Sequence, residues 1–543
     1  MKADLALIHA PGYYDFRKKK AHWGPISDVV PSYQVFDMIP YGFLTMTSYL
    51  MKHGFKVRIV NLAAKMVMSD RFDVEKEIRK LEADAYGIDL HWLPSAHGAL
   101  EVARLVKEHH PESPVILGGL SSTYFAREII ESYPFVDYVL MGDTTEEPLR
   151  ILLERIGDGV EGVPNLAYRD RGFKVNPMTY IPDSLDEFIV DYGLIIKSAL
   201  RGGISLSLPF ADFFKEPIGC VISFKGCAFD CITCGGSSYA YGCYLKRKRL
   251  ARKSTKAIFE EFKSLTSYFR IPVFFIGDPR LYDGFHELSR MIREEKVDNE
   301  LLFEFFSPPP RELMEDVKRA GGTIIQLSPE SPNEHVRRAF GRPYGNQELM
   351  KFVEEALDMG FRRLDLYFML GLPRQTPDMA LDVAKFLEGI YLNHPDSKER
   401  LTAFQAPLSP FVDPGSLVFE HPELYGYRLR FRTLEEHRRA LEAKSWIDML
   451  NYETAWMGRR ELARATYSGA LGLAEVKARH GVMEEKEAKS LMERMRLALE
   501  VLEGRAREEE LYDLSSEIAS KRELYPRISV FKLFRRLPIK ALI

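Results

Sequence analysis

The chain has 543 residues, 75 Lys+Arg against 78 Asp+Glu, with 46% hydrophobic and 28% charged residues. That is ordinary globular composition, long enough for roughly three or four domains, and a net charge of -3 argues against a general binder of polyanionic backbones. There is no long uncharged apolar run, and MKADLALIHAPG lacks a charged n-region ahead of an apolar stretch, so the expectation is a cytoplasmic protein without membrane span or signal peptide.

Strands and helices alternate through the first 155 residues. LALIHAP (5–11), KVRIVNL (56–62), ADAYGIDLHWL (83–93), PVILGG (114–119) and VDYVLMGD (136–143) read as strands. Helical patterns at 41–55 and 97–111 lie between them, the second stopped by Pro111. Such alternation predicts a parallel, doubly wound sheet, which binds ligands outside the carboxyl ends of its strands. Residues 156–205, rich in Gly, Pro and Asp, read as a connector with a short hairpin, NLAYRDRGFKV. A second series follows: GCVISFKG (219–226), PVFFIGD (272–278), LLFEFFS (301–307), GTIIQLS (322–328), RRLDLYFMLGLP (362–373) and TAFQAPLSPF (402–411). Six parallel strands with helices between them predict a barrel or part of one. Beyond about 430 only helices are expected, the first entered by a capping box, Thr433 to Glu436.

All five cysteines fall between Cys220 and Cys243. An odd, crowded set points to a metal site rather than a disulfide framework. Cys227, Cys231 and Cys234 have the spacing C-x3-C-x2-C. Three thiolates leave one iron of a [4Fe–4S] cluster open, whereas structural zinc wants four ligands. Cys220 or Cys243 could supply a fourth; otherwise both are packed thiols.

A C-x3-C-x2-C loop at the end of the first of six barrel strands resembles the radical S-adenosylmethionine superfamily. The resemblance spans roughly residues 210–425. It implies that Cys227, Cys231 and Cys234 ligate a [4Fe–4S] cluster whose open iron binds S-adenosylmethionine, giving a 5′-deoxyadenosyl radical. It also implies S-adenosylmethionine contacts at Gly277 and Asp278, Glu330 and Ser331, and Gly371 and Leu372, at the ends of the second, fourth and fifth strands. PLSPFVDPGS (407–416) is similar to the sixth-strand segment of the cobalamin-linked subgroup. Thr233 departs from the aromatic residue the family places before its third Cys.

The α/β unit ahead of the barrel resembles a cobalamin (B12)-binding domain. Gly118 and Gly119 look like its Gly-Gly turn, and Gly142 through Glu146 resembles its closing Gly-Glu-Gly-Glu. The D-x-H-x-x-G motif that supplies a lower cobalt ligand is missing from the first strand–helix turn. Asp89 and His91 hold only its first half, on a later strand. The expected organisation is a Rossmann-like B12-binding-type domain (1–155), a connector (156–205), a partial (β/α)6 TIM-like radical barrel (206–428) and an α-helical domain (429–543). The implied cofactors are the [4Fe–4S] cluster, S-adenosylmethionine and cobalamin, with an electron donor such as ferredoxin or flavodoxin.

Three further segments have two readings each. The basic run Lys246–Arg249 with Arg252 and Lys253 reads as a solvated face or an anion clamp. The tail LYPRISVFKLFRRLPIKALI (524–543) reads as docked on its own protein or as a peripheral membrane segment. Trp446, Tyr452, Glu453 and Trp456 read as a core cluster or a cover over the barrel mouth. The expected function is methylation of an unactivated carbon in a small molecule or lipid. The alternatives are C–C coupling, cyclisation or rearrangement without methyl transfer, as on an isoprenoid lipid, or a non-catalytic corrinoid or iron–sulfur sensor. No nucleic-acid partner is expected, and the sequence does not name the substrate.

Overall fold

The computed structural model describes residues 2–19, 25–26, 30–31, 35–408 and 410–511. The first sheet has seven strands: β1 (Ala3–His9), β2 (Val57–Asn61), β3 (Ala83–Asp89), β4 (Val115–Gly118), β5 (Tyr138–Leu140), β6 (Leu166–Arg169) and β7 (Phe173–Val175). Their spatial order is β2-β1-β3-β4-β5-β6-β7. The first five pair in parallel, so the order reverses between β1 and β3, the point at which sheets of this kind bind ligands. The hairpin expected in the connector is the antiparallel edge of this sheet, β6 pairing with β5.

The second sheet has six parallel strands in sequence order: β8 (Gly219–Ile222), β9 (Val273–Ile276), β10 (Leu301–Phe305), β11 (Gly322–Glu330), β12 (Arg363–Leu370) and β13 (Leu401–Pro407). Its helix-facing residues are buried apolar side chains such as Phe303, Ile325, Leu366 and Ala403, all in one core. This is the partial barrel read from the sequence. The run GCVISFKG, however, is not one strand. Phe224–Lys225 leaves the barrel and pairs antiparallel with Ala251–Arg252, turning the chain into the cysteine loop.

The region beyond 430 is not helices alone. A hairpin, Tyr427–Leu429 with Tyr452–Thr454, precedes two long helices, Arg459–Arg479 and Glu485–Leu502. The capping box at Thr433 is present, but its helix runs only from Leu434 to Ala440. Trp446 and Tyr452 are buried core residues. Lys477, on the first long helix, donates to the Ala403 carbonyl at 2.9 Å and covers edge strand β13. The 524–543 tail lies outside the described residues. Among the described residues, no helix is long and apolar enough to cross a membrane.

Candidate functional site: a cysteine loop between two cofactor-type domains

Gly226, at φ +98°, turns the chain out of Phe224–Lys225 and into the loop. The loop is knitted to its surroundings by backbone hydrogen bonds. Ile232 N–H donates to the Phe340 carbonyl at 3.1 Å, Val418 N–H to Ile232 at 2.9 Å, and Asp413 N–H to Thr233 at 3.3 Å. Gly235 N–H donates to the Asp413 carboxylate at 3.0 Å, and burial pushes that carboxyl up to about 6. Thr233, which departs from the aromatic residue of the resembled family, is buried. Phe229 supplies the loop's aromatic ring instead, edge-on to Phe306 and facing the guanidinium groups of Arg280 and Arg342.

Charge on any one of the three thiols disfavours charge on the others. Burial pushes Cys231 up to about 11 and raises Cys227 and Cys234, so the thiols stay neutral until a cation compensates. The surroundings suit thiolates. Phe229 N–H donates to Cys227 Sγ at 3.4 Å, Gly236 N–H donates to Cys234 Sγ at 3.3 Å, and Arg342 favours charge on Cys227 and Cys231. Among the described residues no three His, Cys, Asp or Glu converge as a site for a metal ion. A cubane seats each thiolate on a separate iron, so its ligands need not converge on one point. Cys220, within β8, is driven up to about 12 by burial, and Cys243 is exposed.

The strand-end residues expected to touch S-adenosylmethionine all lie at the carboxyl ends of the barrel, but several are occupied by the protein itself. Asp278 accepts from the Arg280 backbone and guanidinium and from Phe306 N–H, all within 3.1 Å, which commits it to shaping the turn. Gly277, at φ +112°, packs against Ser223 and the Phe224 ring where a side chain would sit, and its N–H donates to Glu304 at 3.0 Å. Glu330 holds a left-handed φ of +67° and a buried 2.7 Å ion pair with Arg342. Backbone strain of this kind is concentrated at functional sites. Ser331 accepts from Asn333 N–H. The Gly371 and Leu372 N–H groups both donate to Gln375 Oε1, at 2.9 and 3.1 Å. Gly371 also leaves room for the Tyr452 hydroxyl.

Arg342, Glu304, Gln375 and Asp413 were missed by sequence reasoning. Glu304 had a signal: a lone acid within LLFEFF, on the strand phase opposite Phe303 and Phe305. The other three lie in turns with no period to mark them.

In the first sheet, Gly119 (φ +122°) is required because a side chain there would strike the His91 backbone. The glycine therefore serves the β3–β4 packing itself. A side chain at Gly118 would make only an ordinary contact with the Leu140 carbonyl, at 3.9 Å. Gly142 donates to Thr123 Oγ1 at 3.0 Å. Glu146 is buried; one oxygen accepts from Thr45 at 2.6 Å and from Lys225 at 3.3 Å, while Oε2 has no partner. At the end of β1, His9 is engaged at both nitrogens, by Asp89 at 2.9 Å and the Phe36 carbonyl at 2.6 Å. Burial lowers His91 to about 4, which keeps that imidazole neutral. An unsatisfied carboxylate oxygen at Glu146 is compatible with a polar cofactor near these strand ends.

The two domains face each other across the cysteine loop. Lys225, two residues before Cys227, donates to the Asp143 carbonyl at 2.9 Å as well as to Glu146. Arg247 forms a buried 2.5 Å pair with Asp143 and reaches Thr144 Oγ1 and the Pro182 carbonyl. Lys253 pairs with buried Glu261 at 2.5 Å and bonds Tyr41 at 3.0 Å. The basic run is therefore neither wholly a solvated face nor an anion clamp, since two of its cations are interdomain struts.

Comparison with known proteins defines the class. Residues 221–387 match the Radical SAM superfamily model and residues 32–152 the B12 binding domain model. The chain thus carries a Radical SAM superfamily domain preceded by a B12 binding domain. An uncharacterized methyltransferase, PH0819, of Pyrococcus horikoshii is 23% identical over 370 residues, 65% of this chain and 74% of that protein. The fold is similar to that of TsrM from Kitasatospora setae, a radical S-adenosylmethionine methyltransferase solved with cobalamin and a [4Fe–4S] cluster. The TM-score is 0.57 at 15% identity, covering 79% of this chain and 77% of that one. It is also similar to OxsB, a cobalamin-dependent radical enzyme solved with aqua-cobalamin and S-adenosylmethionine. There the TM-score is 0.54 at 13% identity, covering 97% and 76%.

Proposed function

We propose that this protein is a cobalamin-dependent radical S-adenosylmethionine methyltransferase that places a methyl group on a carbon of a small molecule. One observation carries the reading. The cysteine loop is tied by Lys225 and Arg247 to Asp143 and Glu146, at the closing turn of the B12-binding domain, so the two cofactor regions adjoin. When bound, the cofactors supply one-electron cleavage of S-adenosylmethionine and a carrier for the methyl group.

The chain's own residues do the rest. Cys227, Cys231 and Cys234 hold the cluster, with the Phe229 and Gly236 N–H groups offsetting thiolate charge. Glu330, fixed by Arg342, presents a carboxylate at the barrel mouth. Burial pushes the Glu304 carboxyl up to about 7, so it can hold or release a proton there near neutral pH. Phe229, Phe306 and Phe340 surround Arg342 and exclude water from it. Electrons are expected from a reduced ferredoxin or flavodoxin.

The test is anaerobic reconstitution with cluster and cobalamin, followed by incubation with methyl-labelled S-adenosylmethionine and candidate substrates. The expected result is 5′-deoxyadenosine together with label in a carbon–methyl product. 5′-Deoxyadenosine without label transfer from cobalamin-loaded protein would sink the methyl-transfer reading and favour coupling or rearrangement.

A further inference from the structure

Barrel interiors are normally packed with layers of branched apolar side chains. Here the pairing register places Glu304, Gln326, Asp365 and Thr402 on successive neighbouring strands β10 to β13 as direct partners. In a parallel sheet, paired residues share one face. Their chain neighbours Phe303, Ile325, Leu327, Leu364, Leu366, Leu401 and Ala403 lie in the helix-facing core. The four polar residues therefore project into the lumen. The lumen is not packed shut: Gln326 and Thr402 keep partial exposure, while those neighbours are fully buried.

The row begins at the mouth, where Glu304 accepts the Gly277 N–H. It continues through Gln326, whose amide donates to Tyr367 at 3.2 Å and to Asp365 at 3.4 Å. Arg363 holds the other Asp365 oxygen at 2.7 Å. It ends at Thr402, whose Oγ1 is buried without a partner. There a cavity of about 640 Å³ opens at the foot of β12 and β13, with Arg363, Thr402 and Phe404 among its lining. Phe404 stacks on Tyr367 at 5.0 Å, giving an aromatic wall beside the row.

Burying a polar group without a partner is costly, and an apolar ligand against this row would leave Thr402 Oγ1 unsatisfied and set hydrocarbon against three bonded polar side chains. We propose that the row is the substrate-recognition surface. Its ligand is a small polar molecule carrying amine or hydroxyl donors, not an isoprenoid or other hydrocarbon chain. The inference rests on the reading of the barrel as the substrate chamber of a radical enzyme.

The test is equilibrium dialysis of full-length, cluster-reconstituted protein in the presence of S-adenosylmethionine. The probes are labelled L-tryptophan, glucosamine and agmatine on one side, and geranylgeraniol on the other. At least one polar probe should be retained saturably, with affinity weakened tenfold or more in Gln326→Leu and in the near-isosteric Thr402→Val. Geranylgeraniol should not compete for it. Circular dichroism and cluster content identify a variant that fails to fold, and Thr402→Val then carries the comparison. Retention of no polar probe, retention unchanged in folded variants, or saturable geranylgeraniol binding would overturn the proposal. 5′-Deoxyadenosine is assayed separately. Binding without it sinks the radical reading and leaves the row standing, whereas cleavage with unaltered binding in the variants sinks the row.

Discussion

Cys231 is a buried loop thiol, and burial holds it up to about 11. A thiol in that state becomes a ligand only because the metal compensates its charge. Cys231→Ala is therefore expected to abolish the visible absorbance of the reconstituted cluster while leaving the far-ultraviolet circular dichroism unchanged. Survival of the absorbance would remove Cys231 from the ligand set. Glu304 gives a second outcome. Its carboxyl is raised from 4.5 to about 7, chiefly by burial. The folded state thus binds a proton more tightly than the unfolded chain, and stability falls as pH rises from about 4.5 through about 7. Urea unfolding at pH 5 and pH 8 should show that loss in the wild type, on the order of 1–3 kcal/mol. Glu304→Gln should flatten it, and equal slopes for the two proteins would contradict the assignment. The cysteines were legible because their spacing is chemistry written locally. Glu304 was legible only in its strand phase, and Arg342 not at all, since its partner Glu330 is joined to it by the fold.

Strands and helices of both sheets could be read because burial on one face imposes a period of two or 3.6. What escaped was direction change. GCVISFKG is uniformly apolar enough for one strand, yet it splits where Phe224–Lys225 takes a new partner. Likewise the 166–175 hairpin looks like a connector until β5 is seen to need an edge. A clasp at the end of β1 has its own pH signature. Both His9 nitrogens face oxygen acceptors, which only the imidazolium satisfies completely. Burial alone would depress His9, but Asp89, the Phe36 carbonyl and Asp37 together outweigh it and the net shift is upward. The stabilisation is complete below about pH 6.5, the unfolded value, and is lost as pH climbs through the higher folded one. Amide hydrogen exchange at residues 35–39 should quicken across that rise, and His9→Gln should show no such step. An exchange rate that ignores pH beyond its intrinsic dependence would discount the clasp.

At the scale of the molecule, the two α/β units are joined by buried charge. Arg247 and Asp143 are almost wholly withdrawn from water. Removing one partner of such a pair strands the other and costs about 3–5 kcal/mol. Arg247→Met should lose that much on denaturation and should expose the interdomain segment to limited proteolysis. A variant as stable and as resistant as the wild type would show the strut to be dispensable. None of this was visible in the run Lys246–Arg249, where the buried arginine and its exposed neighbours look alike until the fold selects one. The cysteine loop takes its shape from far along the chain: Ile232, Thr233 and Gly235 are held by Phe340, Asp413 and Val418. A chain ending soon after β13 would keep all three loop cysteines and every barrel strand and still lose the frame that holds the loop. The smallest unit able to shape the cysteine loop therefore extends past the last barrel strand, and the polypeptide must be synthesised to at least Val418 before that frame is complete.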